Sequence, residues 1–195
     1  MRTLLALLAL SLALVACGDK GASASKVAFA NTDITGLDYG KGFSLTDHTG
    51  TPRTLADFKG KVVLVFFGFT QCPDVCPTTL TEMAGVMKQL GVDADRLQVL
   101  FITVDPERDT PALLKGYVTN FGPTFIGLTG TSEQVAAVAR AYRVYYQKVP
   151  GKDGGPYLMD HSSIIYLLDR NGRFVTHFTH DAKAEAIAAA VGRLL

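Results

Sequence analysis

The 195 residues of this chain include only 3 cysteines and 4 histidines, and their positions carry most of its legible chemistry. Cys72 and Cys76 flank Pro73-Asp74-Val75 in the run Gly68-Phe69-Thr70-Gln71-Cys72-Pro73-Asp74-Val75-Cys76-Pro77. The gap is one residue longer than in a C-x-x-C redox pair. It still permits a disulfide, and it also lets both sulfurs converge on one ion. Two thiolates are soft ligands that select Cu(I), zinc or iron–sulfur chemistry. Iron–sulfur clusters usually take four cysteines, and structural zinc takes four protein ligands in a closed shell. An open, ligand-poor site suits copper better. The plain alternative is a structural disulfide or two buried thiols. Against it stands the placement, a proline-flanked pair where a helix begins. A helix N-terminus carries about half a positive charge, which favours thiolate over thiol. Pro77 fits a first helical turn, where its missing N–H has no intrahelical acceptor. Cys76 is then expected at or just before the N-cap.

The histidines divide by context. His48, in Asp47-His48-Thr49-Gly50, reads as part of a solvated turn, and His177 and His180 as a surface pair after the last strand. His161 differs. It closes the loop that contains the loose, glycine-rich stretch Pro150–Pro156, and it precedes a strand expected to be central. Its case as a ligand is positional, because Asp-His alone occurs twice in the chain.

The elements that must position these groups are readable from hydrophobic patterning. Residues 61–67, 97–104 and 164–168 are continuous apolar runs rich in β-branched and aromatic residues, as expected of strands buried on both faces. Leu80, Met83, Met87 and Leu90 repeat at helical spacing, with Thr79 and Glu82 as a capping box and Gly91 as the stop. Thr110-Pro111 opens a second helix with Leu113, Leu114, Tyr117 and Phe121 on its apolar side. Thr131 and Gln134 cap a third, carrying Val135, Val138, Ala139 and Tyr142, and Asp181 starts a fourth. Asn171-Gly172 predicts a tight hairpin, and residues 43–54 an edge hairpin ahead of the main sheet. The order predicts one α/β domain, three layers around a mixed central sheet, with an N-terminal hairpin extension.

Arg2 precedes residues 4–16, in which only Ser11 is not apolar. That is shorter than the roughly 18–20 residues needed to span a bilayer, and it has the layout of a secretory signal. The run ends Leu14-Val15-Ala16-Cys17, which resembles the bacterial lipoprotein box. The resemblance implies a signal peptide over 1–16 and lipid on Cys17. Residues 17–34 would form a tether and 35–195 the folded domain, exported and held at a bacterial membrane facing the periplasm. Export implies an oxidising compartment.

Three motifs, taken in order, resemble the Sco/SenC family: Cys72-Pro73-Asp74-Val75-Cys76-Pro77, then Val104-Asp105-Pro106-Glu107-Arg108-Asp109-Thr110-Pro111, then Asp160-His161-Ser162. Tyr146-Gln147-Lys148-Val149-Pro150 also fits. The similarity runs from about residue 35 to the C-terminus. It implies a thioredoxin-like fold and one copper ion held by Cys72, Cys76 and His161. The implied function is delivery of copper to the binuclear CuA site of cytochrome c oxidase during assembly. Partners would be the copper-bearing oxidase subunit and other copper chaperones, and the chain is expected to act as a monomer. Asp160 would orient a ligand or cap the strand start. Asp105, Arg108 and Asp109 are expected to organise the turn before the second helix. Met159, Met83 and Met87 read as core. A histidine on a mobile loop could close over the ion and leave again.

The alternative class is a thiol–disulfide oxidoreductase, with Cys72 and Cys76 as a redox pair that reduces the cysteines of the oxidase copper site. A peroxidase of the same fold would place threonine where this chain has Phe69. The formal charge of +1, from 19 basic and 18 acidic residues, gives no basic field for a nucleic-acid partner. Motifs of nucleotide hydrolysis, zincins and serine hydrolases do not occur.

Overall fold

The structure is a computed structural model that describes residues 40, 42–151 and 154–195. The signal, the Cys17 anchor, the tether and the start of the domain therefore lie outside the described residues. Strands β1 (Ser44–Asp47) and β2 (Pro52–Thr54) form a hairpin, followed by β3 (Val62–Gly68), α1 (Val75–Leu90) and β4 (Leu97–Thr103). Next come α2 (Pro111–Val118), β5 (Ile126–Thr129), α3 (Ser132–Ala141), β6 (Tyr146–Val149) and β7 (Leu158–His161). The chain closes with β8 (Ile164–Leu168), β9 (Phe174–Thr179) and α4 (Ala184–Gly192).

Seven strands form one mixed sheet in the order β2-β1-β5-β4-β3-β8-β9. β3 lies parallel to β4 and antiparallel to β8, and every residue of β3 and β4 is buried. That explains their unbroken apolar sequence, since each is covered on both faces. α1 packs on α4, and α2 packs on β5. Gly127 makes the second contact close, because a Cβ there would sit 3.0 Å from that of Leu114.

The hairpin of residues 43–54 is the expected edge hairpin, and β1 joins it directly to β5 of the main sheet. Several local expectations are corrected. α1 begins at Val75 with Asp74 as N-cap, which puts Cys76 inside the first turn. Thr79 is thus interior, its hydroxyl donating to the Val75 carbonyl at 2.8 Å. Glu82 caps another helix: it accepts from the Ala184 N–H at 2.9 Å and from Lys183 Nζ at 3.1 Å. α4 accordingly starts at Ala184 rather than Asp181. In α2, Leu114 and Val118 are buried but Leu113 is exposed. His48 is not a free turn residue, for its Nδ1 accepts from the Gly127 N–H at 3.0 Å. The Thr131–Gln134 capping box and the β8–β9 hairpin match expectation.

Hydrophobic patterning does not predict the hairpin β6–β7. It forms its own two-stranded sheet, with Tyr146 opposite His161. His161 therefore lies at the end of a strand and not in a loop.

Candidate metal centre

The sulfur side of the centre is built from the inside outwards. β3 carries its buried run to Gly68, where the chain leaves the sheet edge at which sites of open α/β sheets are assembled. Asp109, fully buried, accepts from Thr70 N–H at 3.0 Å, Thr70 Oγ1 at 2.6 Å and Thr103 Oγ1 at 2.6 Å. One carboxylate thus fastens the cysteine loop to the end of β4. Cys72 N–H then donates to the Phe69 carbonyl at 3.2 Å, turning the loop into α1. Gly68 leaves the space that the second sulfur fills. A Cβ at that position would lie 2.8 Å from Cys76 Sγ and 2.8 Å from the Phe101 ring.

On the other side, β7 delivers His161. Its Nε2 lies 3.6 Å from Cys76 Sγ, and its Nδ1 faces the Ser162 carbonyl at 3.2 Å. A carbonyl can only accept, so Nδ1 carries the proton and the Nε2 lone pair points at the sulfurs. Phe69 and Phe66 meet the imidazole edge-on, with centroids 5.9 and 6.2 Å away. The ligand atoms of Cys72, Cys76 and His161 all lie within 4.8 Å of one another.

The two sulfurs are electrostatically unequal. The Cys76 thiol hydrogen-bonds to Cys72 and pulls it down to about 4; partial burial opposes this, while backbone N–H groups assist. One of those groups is the Cys76 N–H, which donates to Cys72 Sγ at 3.4 Å. Cys76 is pushed up because its proton is held by Cys72 and because it is buried. Both cysteines are free of any disulfide. The centre thus offers a half-buried thiolate, a buried thiol and an imidazole lone pair. Such a set fits one soft cation, and binding would release the Cys76 proton.

The residues brought together are Cys72, Cys76 and His161. Asp160 is exposed, and strand alternation turns it away from the face that carries His161. His177 is half-buried on β9 and His180 exposed beyond it; neither joins the group. Met159 is buried as expected. Sequence reasoning missed how far the residues of the 105–109 turn reach. Asp109 acts across 39 residues to Thr70. Arg108 donates through Nη1 to Gln71 in the cysteine loop at 3.1 Å and to the Tyr157 carbonyl before β7 at 2.8 Å. Only the motif itself signalled this turn.

The sequence model of the SCO1/SenC family matches residues 31–195. The mitochondrial protein SCO2 homolog of Bos taurus is 48% identical over 153 residues, covering 77% of this chain and 58% of that protein. The chain thus spans less than two thirds of the length of that relative. Among solved structures, Bradyrhizobium japonicum ScoI with copper bound is 50% identical with a TM-score of 0.74, covering 80% of this chain and 99% of that one. A SCO1/SenC family lipoprotein from Bacillus anthracis is 26% identical with a TM-score of 0.70, covering 86% and 99%. BsSco, described as a member of the Sco family of cytochrome c oxidase assembly proteins with a disulfide switch, is 25% identical with a TM-score of 0.66, covering 80% and 93%. The expected thioredoxin-like α/β architecture is the one these structures share. With the match extending over most of its length and the cysteine–histidine group in place, the chain belongs to the SCO1/SenC family.

Proposed function

We propose that this chain binds one copper ion through Cys72, Cys76 and His161 and delivers it to the binuclear copper site of cytochrome c oxidase during assembly. The convergence of two sulfurs and an imidazole nitrogen within 4.8 Å carries this reading. Support comes from the half-identical ScoI described with copper bound and from the description of BsSco as one of a family of oxidase assembly proteins. Copper is here the cargo. Two thiolates favour Cu(I), and an imidazole adds a borderline nitrogen that also serves Cu(II). Cys72 enters as a thiolate, Cys76 gives up its proton on binding, and Ser162 keeps the His161 tautomer correct. The receiving partner is the copper-bearing oxidase subunit, and other copper chaperones load the site. Metal analysis of the reduced chain tests this. The wild type should hold one copper, and Cys72→Ala, Cys76→Ala and His161→Ala should each lose it; retention in all three would end the reading.

A second reading is favoured by the unequal sulfurs. A Cys72 thiolate beside a Cys76 thiol can attack a disulfide of the oxidase copper site, and Cys76 then resolves the mixed disulfide. The substrate gains two electrons and this chain ends with a Cys72–Cys76 disulfide. His161 is dispensable for that reaction, so His161→Ala separates the two readings: reductase activity should survive and copper retention should not.

The chain is further proposed to be a periplasm-facing lipoprotein of a bacterial membrane, anchored through Cys17 and acting as a monomer. The run Leu14-Val15-Ala16-Cys17 and the related family lipoprotein of Bacillus anthracis support the anchor. Cys17→Ser should abolish lipid labelling and membrane retention.

A further inference from the structure

The hairpin that carries His161 stands outside the seven-stranded sheet, and a half-open cavity of about 330 Å³ lies beside it. Asp105, Glu107, Tyr146, Lys148 and Met159 are among the residues that line it. Met159 seats the hairpin against the core, and polar contacts hold its outer part. The exposed Lys148–Glu107 pair, at 2.6 Å, contributes little because both groups are solvated.

Arg108 is placed differently. Its side chain is only 17% exposed, so its hydrogen bonds are charge-assisted and poorly screened. It touches both halves of the centre at once. Towards the sulfurs, Nη1 donates to Gln71, and the guanidinium lies 5.9 Å from the Phe69 ring, which in turn meets the His161 imidazole. Towards the hairpin, Nη1 donates to the Tyr157 carbonyl, and the guanidinium stacks 3.7 Å from the Tyr157 ring. Nε is fixed by Asp105, whose other oxygen accepts from Tyr157 Oη at 2.9 Å. Nη2 is buried without a hydrogen-bond partner among the described residues. That unmatched donor offsets part of the gain and leaves the contact openable.

From this geometry we infer that Arg108 is a positioning residue for the copper ligand His161: it clasps the hairpin β6–β7 to the cysteine loop and so sets the distance of the imidazole from the two sulfurs. The inference rests on the copper reading for its consequence, but the clasp itself is a property of the metal-free chain.

The test uses the full-length chain with Arg108→Gln, and with Tyr157→Phe as an isosteric change that removes only the hydroxyl held by Asp105. In the metal-free protein, amide exchange over residues 146–149 and 158–161 should accelerate about tenfold in Arg108→Gln, with β3 and β4 unchanged, the scale expected for losing a charge-assisted hydrogen bond. The His161 ring resonances should move towards those of a solvated imidazole. Tyr157→Phe should shift both readouts the same way by less. With copper loaded, Arg108→Gln should still hold one ion per chain but release it to a competing chelator about tenfold faster. Unchanged hairpin exchange would overturn the clasp, as would equal acceleration in the hairpin and in β3–β4, which marks general loosening. If the wild type took up no copper, the copper reading would fail while the exchange comparison still decided the clasp.

Discussion

The two halves of the metal centre are held by different means. The sulfur half grows out of the fully buried strand β3 and is tied by Asp109 to the equally buried β4. The imidazole half sits on a two-stranded hairpin outside that sheet, held by Arg108, by the buried Met159 and by the edge-on contacts of His161 with Phe66 and Phe69. A site meant to take up and surrender an ion benefits from such asymmetry. Two donors anchored to the central sheet keep specificity, while a third on a separable element lets coordination open without loss of the fold.

This contrast can be broken from the sulfur side first. Asp109→Ala should cost the most, about 3 kcal/mol, because it leaves the Thr70 N–H and two hydroxyls without their buried acceptor. A lowered urea midpoint with an unchanged slope would show it. Gly68→Ala should follow at about 2 kcal/mol from overpacking against Cys76 Sγ and Phe101, with copper affinity falling further than stability. If Gly68→Ala bound copper normally, the view that β3 sets the second sulfur's place would be wrong.

On the imidazole side the order reverses. His161→Ala should remove copper retention yet lower stability by only about 1 kcal/mol, the worth of its edge-on contacts with Phe66 and Phe69. Thermal unfolding of the metal-free variant checks this, and a large loss would mean that the hairpin is part of the core.

The smallest effect distinguishes the sulfurs themselves. Cys72 is depressed to about 4, so its thiolate persists above that pH and reactivity is lost only as pH falls through it. Iodoacetamide at pH 6 should therefore label Cys72 in the metal-free chain and spare Cys76, whose proton is retained. Equal labelling would show that the two thiols are not coupled as the geometry requires.

Much of this is legible in the residues alone. The cysteine spacing, the apolar runs of β3, β4 and β8, and the turn at Asn171-Gly172 are local features, and local features leave local signatures. The hairpin β6–β7 leaves none, because Tyr146-Gln147-Lys148-Val149 lacks apolar alternation and is partly exposed along its length. The start of α1 is misleading in the sequence because a capping pattern at Thr79 and Glu82 is also what a helix interior and a distant cap for α4 supply. Nor can the 105–109 turn announce its reach. Asp109 to Thr70 and Arg108 to Tyr157 are contacts across 39 and 49 residues, each satisfied only once the strands lie side by side.

What the sequence determined by itself was therefore the identity of the donors, since ligand softness belongs to the residue type and spacing decides whether two neighbours can share an ion. Tertiary structure decided the rest: which sulfur is the thiolate, which nitrogen of His161 faces it, and which side chains keep the imidazole near. Those properties depend on burial and on hydrogen bonds between segments distant in the chain, and they come into being only when folding removes the water between them.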